Sequence, residues 1–342
     1  MRRVRWRRQN MLANFTRDES GVVAITFALS LVAICGFVAL ALDIGHLFMV
    51  KSELQRAADA GALAGAMGLV PYTGPENNRT PNWLQAEAKA LEIINHSANK
   101  ADNTVLSVGE EAVEYGYWLL NASPGAPQTL PLARPTDAAA LPVPAVRVTL
   151  SKPVALYFAP LLGISSPWTV TVTATAILPE AVAAGNLPPI AVAKDVVYNF
   201  SGQTVEIEID PSTQTIKVQS QGGKAGWFNL TGDNNVPSVR FGPPLSAPTQ
   251  QIYFTPGTEA TLMHQFVQAG QTLILPVVET VTQKVWRNII GFAAFKVEER
   301  SSNAMTGRFV NQYFDPNVLP TASNLQGVLL GGVAGTPKLV SP

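Results

Sequence analysis

Three histidines, one cysteine and a short row of acids are the residues with which this 342-residue chain could do chemistry. His46, His96 and His264 lie far apart, and none has a companion at metal-ligand spacing. Cys35 stands inside an apolar run, which leaves the rest of the chain without a disulfide or a cysteine metal site. No Gly-x-Ser-x-Gly elbow and no phosphate-binding loop occurs. The glycine-rich piece Gln221-Gly-Gly-Lys-Ala-Gly-Trp-Phe lacks the strand-then-helix context of such a loop and reads as a turn. Glu206, Glu208 and Asp210 alternate with Val205, Ile207 and Ile209. Side chains two apart on one strand face are separated by about 7 Å, so a single strand cannot enclose Ca²⁺ and the row reads as a solvated face. Asp43 follows a long charge-free run; a carboxylate there could relay protons, reach interfacial water or cap the next helical stretch. Tyr115, Tyr117 and Trp118, the pair Trp227-Phe228, and Trp286 could line a carbohydrate or protein interface, although core packing is the commoner fate of such residues. The sequence thus offers no catalytic, cofactor-binding or metal-ligating set and no small-molecule substrate site.

The elements that must position these residues begin with a membrane span. Val22–Leu42 runs without a charge, and at a rise of about 1.5 Å per residue it covers the roughly 30 Å of a bilayer's hydrocarbon core. Arg2, Arg3, Arg5, Arg7, Arg8 and Arg17 precede it, a bias that keeps the short N-terminal arm cytoplasmic and sends the rest across. A cleavable signal peptide is the rival reading, with Ala39-Leu40-Ala41 as its cleavage triplet. The triplet lies inside the apolar run, the run exceeds the usual signal length, and the helical pattern continues past it. An anchor is therefore expected. With Asp18 and Glu19, residues 1–20 carry +4, and because the whole chain is neutral the remainder carries −4. That remainder has no electrostatic footprint for nucleic acid. The arginine cluster fits a topology determinant in contact with anionic lipid. Charged residues make up only 14% of the chain, against a globular average of about 25%.

Beyond the span, Leu47, Val50, Leu54, Ala58 and Leu63 continue a helical spacing. Ala57, Gly61 and Gly65 recur every four residues, as do Ala60, Ala64 and Gly68. Small residues at that spacing form a flat ridge on which two helix backbones approach closely. Each glycine costs a helix about 1 kcal/mol relative to alanine, so close packing is needed to compensate. Two surfaces could receive the ridge: the chain's own domain or a sister membrane protein.

The block from Gly21-Val-Val-Ala-Ile-Thr-Phe-Ala-Leu through Asp43-Ile-Gly45 to Leu54-Gln-Arg-Ala-Ala-Asp-Ala-Gly-Ala-Leu-Ala-Gly-Ala66 resembles the N-terminal signature of TadG-like (tight adherence, Flp pilus assembly) proteins. Residues 144–178, with Pro153-Val-Ala-Leu-Tyr-Phe-Ala-Pro-Leu-Leu-Gly163 between two strands, resemble the ectodomain of the same group. The resemblance implies a bacterial inner-membrane envelope protein that assembles or anchors an adhesive pilus, without catalysis. Its implied partners are the membrane, sister Tad pilus-assembly proteins and pilus subunits. Pilins of the wider class keep a Glu five residues after their processing Gly; here that position is Thr26, which implies an uncleaved tether. The Asp-x-Ser-x-Ser of a von Willebrand A-type domain, carried by larger relatives, does not occur.

The expected organisation is a basic arm (1–20), a transmembrane helix (21–43), an Ala/Gly-rich juxtamembrane helix (44–70), a small α+β domain (83–178), a mainly β, sandwich-like domain (190–317) and an irregular tail (318–342). Within it, Trp83–Asn99 reads as an amphipathic helix presenting Leu84, Ala88, Leu91, Ile94 and Ala98. Helix-packing residues are expected at Ala57, Gly61, Ala64, Gly65 and Gly68. The leading functional reading is a non-enzymatic, inner-membrane-tethered subunit of a Tad/Flp pilus machine with a periplasmic ectodomain. A tethered adhesin or surface-binding module, and a membrane-bound hydrolase with an unrecognised site, are the alternatives.

Overall fold

A computed structural model of the chain describes residues 19–70, 73, 80–120, 128–135, 142–178, 183–200, 202–210, 212, 215–236, 245–247, 250–256, 266–310, 313–314, 333–334 and 337–340. The basic arm with Arg2, Arg3, Arg5, Arg7, Arg8 and Arg17, and also His264, lie outside these residues.

Helix α1, Glu19–Gly68, is 50 residues long and carries span and juxtamembrane segment as one continuous element. It is long and apolar enough to cross a membrane, and its most apolar stretch is wholly uncovered by protein. The two hydroxyl side chains there bond within the helix: Thr26 Oγ1 donates to the Val22 carbonyl at 2.9 Å and Ser30 Oγ to the Thr26 carbonyl at 2.8 Å. Neither hydroxyl therefore needs a water partner in lipid.

The last turns of α1 are buried, at Ala57, Ala58, Gly61, Ala62, Gly65, Ala66 and Gly68. Helix α2, Trp83–Ile94, lies against them. Asn82 caps α2: its side-chain oxygen accepts the Gln85 N–H at 3.2 Å while its amide donates to Gln85 Oε1 at 3.0 Å, a reciprocal cap that fixes where the helix starts. The buried face of α2 is Ala86, Ala90 and Ile94. This corrects the expected face, since Leu84 is 75% exposed, Ala88 is exposed, and Ala98 lies beyond the helix end. The physical reason is the approach distance. Glycines on α1 bring the two backbones together, and only the alanine side of α2 fits such a gap.

A four-stranded sheet carries β1 (Val113–Leu119), β2 (Pro142–Val154) and β3 (Trp168–Ile177). β1 and β2 pair antiparallel from Val113↔Val148 to Leu119↔Pro142. Thr149 and Thr173, and Ser151 and Thr171, link β2 to β3 by hydroxyl contacts of 3.2 and 2.9 Å. The fourth strand, Lys338–Val340, comes from the chain's far end and pairs with Ile177, Ala176 and Thr175. Trp118, Ala145 and Ile177 form a small core beneath it, with Val340 packed on them.

The mainly β region holds β4 (Ile190–Ala193), helix α3 (Lys194–Asn199), β5 (Thr204–Asp210), β6 (Thr215–Val218), β7 (Gln221–Asn229), β8 (Gln251–Phe254), β9 (Thr272–Val278), β10 (Trp286–Arg300) and β11 (Ala304–Val310). β4 pairs parallel with β9; the other pairings among these strands are antiparallel. The pairings run β4, β9, β10, β11, β5, β6, β7 and back to β4, so the sheet closes on itself. β8 bridges β7 and β10, and β9 and β10 form a wall between two cores. Successive residues of that wall feed two cores: Leu273, Leu275, Ala293 and Phe295 enter one, Ile274, Phe292 and Ala294 the other. Burial on both faces explains why β4 and β9 are continuous apolar runs, whereas β5 alternates. The hydrogen bonds of these strands thus run round a ring.

Candidate functional site

Asp43 is the residue around which the membrane end is organised. It sits on α1 one position past the charge-free run and is 1% exposed. Its carboxylate accepts three backbone N–H groups: Tyr157 at 2.9 Å on Oδ1, and Phe158 at 2.9 Å and Ala159 at 2.6 Å on Oδ2. These are the entry to a short 3₁₀ turn, Ala159–Leu162, in the β2–β3 connection. The turn's own N-cap, Phe158, has no side-chain acceptor, so Asp43 supplies from 114 to 116 residues away what a local cap would supply. Of the roles open to Asp43 in sequence, capping is the one the geometry realises, although the capped turn is remote and not the next helical stretch. Pro160 fits the turn because an early position needs no N–H donor, and Gly163 ends it at φ +82°. His46, one turn along α1, packs against Tyr157 with ring centroids 5.4 Å apart and the rings tilted by 32°. The sequence signal for this tether was an acid at the end of a span; its partner was not visible there.

The helix ridge is the second constructed feature. A Cβ placed on Gly61 would lie 2.6 Å from Ile94 Cγ1, and one on Gly65 would lie 2.8 Å from Val146 Cγ1 and 3.2 Å from the Ala86 carbonyl oxygen. On Gly68 it would lie 2.7 Å from the Ala86 Cα. Gly61, Gly65 and Gly68 thus face the chain's own α2 and β2, and Ala57 is buried with them. Ala64, on the second row, is half-buried, and Met67 is exposed.

The remaining candidates do not converge. His46 and His96 are far apart in sequence and in context: His96 is exposed, its Nδ1 accepting the Ala98 N–H at 3.2 Å. Among the described residues no group of three or more His, Cys, Asp or Glu side chains could hold a metal ion. In the acidic row, Lys217 lies directly across from Glu208 and ion-pairs with Asp210. The Asp210 hydrogen bond holds the Lys217 ammonium above the usual lysine range. The row is therefore a strand face whose charge Lys217 partly neutralises. Trp227, Phe228 and Trp118 are buried in cores. Tyr115 stacks on Trp83 with centroids 5.7 Å apart, and the half-exposed Trp286 packs on Tyr253 at 5.4 Å. A shallow cavity lined by Glu87, Tyr115, Gln128, Leu130 and Arg147 adjoins β1. Burial, then the charge of Glu110, raises the Glu87 carboxyl above the usual range. Arg147, also in the lining, bonds Glu114 at 3.1 Å.

Comparison with known families finds two matches. A Flp pilus-assembly TadE/G-like model covers residues 21–68, and a Tad-like Flp pilus-assembly model covers residues 64–177. No curated protein and no solved structure matches the chain. The first match coincides with the described length of α1 and the second ends with β3, so the Asp43 tether joins a residue of one matched segment to residues of the other. Over residues 21–177 the chain therefore carries the Tad signature of TadG-like Flp pilus-assembly proteins.

Proposed function

We propose that the chain is a non-enzymatic subunit, tethered in the bacterial inner membrane by α1, that assembles or anchors a Tad/Flp-type adhesive pilus. The observation that carries this reading is the Asp43 tether, in which the acid of the TadE/G-like segment holds the β2–β3 connection of the Tad-like segment. A carboxylate buried at the end of an apolar span is costly unless bonded. Three N–H donors meet that need and hold the β2–β3 connection to the anchor. Such a tether suits a membrane-anchored subunit. The arginine arm sets the orientation with its N-terminus in the cytoplasm, which puts the ectodomain in the periplasm. Partners are pilus subunits or sister Tad membrane proteins.

The test is genetic. In a bacterium that makes this protein, removing its gene should abolish surface pili and adherence, and the wild-type chain should restore both. Asp43→Ala should restore neither fully even at equal protein level. Normal pili in the deletion strain would overturn the assembly role. Glycan or surface binding by cells that still make pili would then move the reading to a tethered adhesin.

A further inference from the structure

We propose that the tip of the β2–β3 hairpin is embedded in the lipid bilayer beside the transmembrane helix, giving the protein a second, non-spanning membrane attachment. The inference rests on the reading of α1 as a membrane anchor.

The tip exposes large apolar side chains that a water-facing loop would not keep. Tyr157 is 66% exposed, Leu161 83%, Leu162 59% and Trp168 54%, with Phe158 and Ile164 also uncovered. No charged residue occurs between Lys152 and Glu180. A contiguous apolar patch of this kind marks a membrane or protein contact.

Its position selects lipid. The hairpin is held to α1 at Asp43 by three hydrogen bonds, and Trp168 lines a groove with Ile44, Leu47 and Phe48 of the same helix. The exposed apolar surface of α1 does not stop at Leu42 but continues through Ile44, Phe48 and Met49, with Lys51 next on the groove. From Val22 to Met49 a helix covers about 42 Å, roughly 12 Å more than a hydrocarbon core. The hairpin tip runs beside that excess length. Tyr157 and Trp168 have the amphipathic rings favoured at the headgroup level, and Lys51 has the stem and charge to snorkel outward. The three N–H groups given to Asp43 also satisfy the one carboxylate that this placement would bring to the bilayer edge.

Spin labelling of the full-length chain tests it. In a Cys35→Ala background, single cysteines at Leu161, at Val32 within the span and at Thr104 in the ectodomain would each carry a nitroxide. The proteins would be reconstituted in phosphatidylcholine/phosphatidylglycerol vesicles. All three sites are exposed, so the changes remove no packing. Leu161→Cys and Val32→Cys should both show high collision with oxygen and low collision with a water-soluble nickel chelate, the ratio exceeding that of Thr104→Cys severalfold. A water-like ratio at Leu161 with a lipid-like ratio at Val32 would overturn the embedded tip and leave the anchor standing. A Leu161 label closed to both reagents would also overturn it, because a protein partner would then cover the patch. A water-like ratio at Val32 would remove the anchor reading, and the proposal with it.

Discussion

The junction of α1 with α2 and the closed β region solve the same problem in opposite ways. At the helix junction the buried residues are small: Gly61, Gly65 and Gly68 against Ala86 and Ala90, with Ile94 and Val146 as the larger contacts. The β region buries Trp227, Phe295, Phe309 and Phe228 between strand faces. The first gains stability from close backbone approach and dispersion, the second from apolar area removed from water. The difference teaches that the two regions should fail under opposite substitutions. Added volume breaks the helix junction, and removed volume breaks the ring.

The largest effect is expected in the ring. Phe295 is fully buried and meets Phe309 edge to face at 5.1 Å. Phe295→Ala should destabilise the detergent-solubilised protein by about 3–5 kcal/mol, read from denaturant unfolding followed by tryptophan fluorescence. A loss under about 1 kcal/mol would show that the ring relaxes around cavities and would break the comparison.

Overpacking at the helix junction should rank next and be graded by what the new side chain meets. At Gly68 a Cβ meets the backbone of Ala86; at Gly61 it meets the end of Ile94, which can turn aside. Gly68→Leu should cost about 1–3 kcal/mol and lower protein levels, while Gly61→Leu should cost less, since leucine also favours the helix. Equal or reversed costs, compared by unfolding midpoint and immunoblot, would show that backbone approach is not what the glycines serve. Normal stability at Gly61→Leu with lost crosslinking to a pilus protein would instead point to an intermolecular ridge.

The smallest effect sharpens the comparison at a polar spot of the β region. Asn229, buried, donates to the Asp233 carbonyl and carboxylate at 3.0 and 2.8 Å and accepts the Gly232 N–H at 3.0 Å. The Asn235 N–H, then the Thr231 hydroxyl, hold the Asp233 carboxyl below the usual range. A depressed folded value means that this contribution is present above the unfolded value of about 3.9 and is lost as pH falls through the folded one. Asp233→Asn should therefore flatten the acid end of the stability–pH curve by lowering stability at neutral pH toward its acid value. An unchanged acid limb would place the acid sensitivity elsewhere.

How much of this was legible follows from how local each signal is. The span, its continuation into a single helix and the β5 alternation were all readable, because they depend on periodicity along one segment. The small-residue row is visible in the sequence, but what lies against it is not. On α2 the expected face holds at Ile94 but not at Leu84 or Ala88, because only the partner's glycines decide that the side with Ala86 and Ala90 fits. In the tail, Val333–Ala334 and Lys338–Val340 are strands, the latter completing a sheet begun more than 200 residues earlier. A charge-free helix of bilayer length, its arginine bias and the segments able to form strands follow from composition and period along the chain. The Asp43 cap on a turn 116 residues away, the meeting of the ridge with α2 and the closure of the strands into a ring are settled by the folded chain. Those outcomes depend on contacts between distant segments, where many pairings share the same local pattern and packing geometry alone selects one.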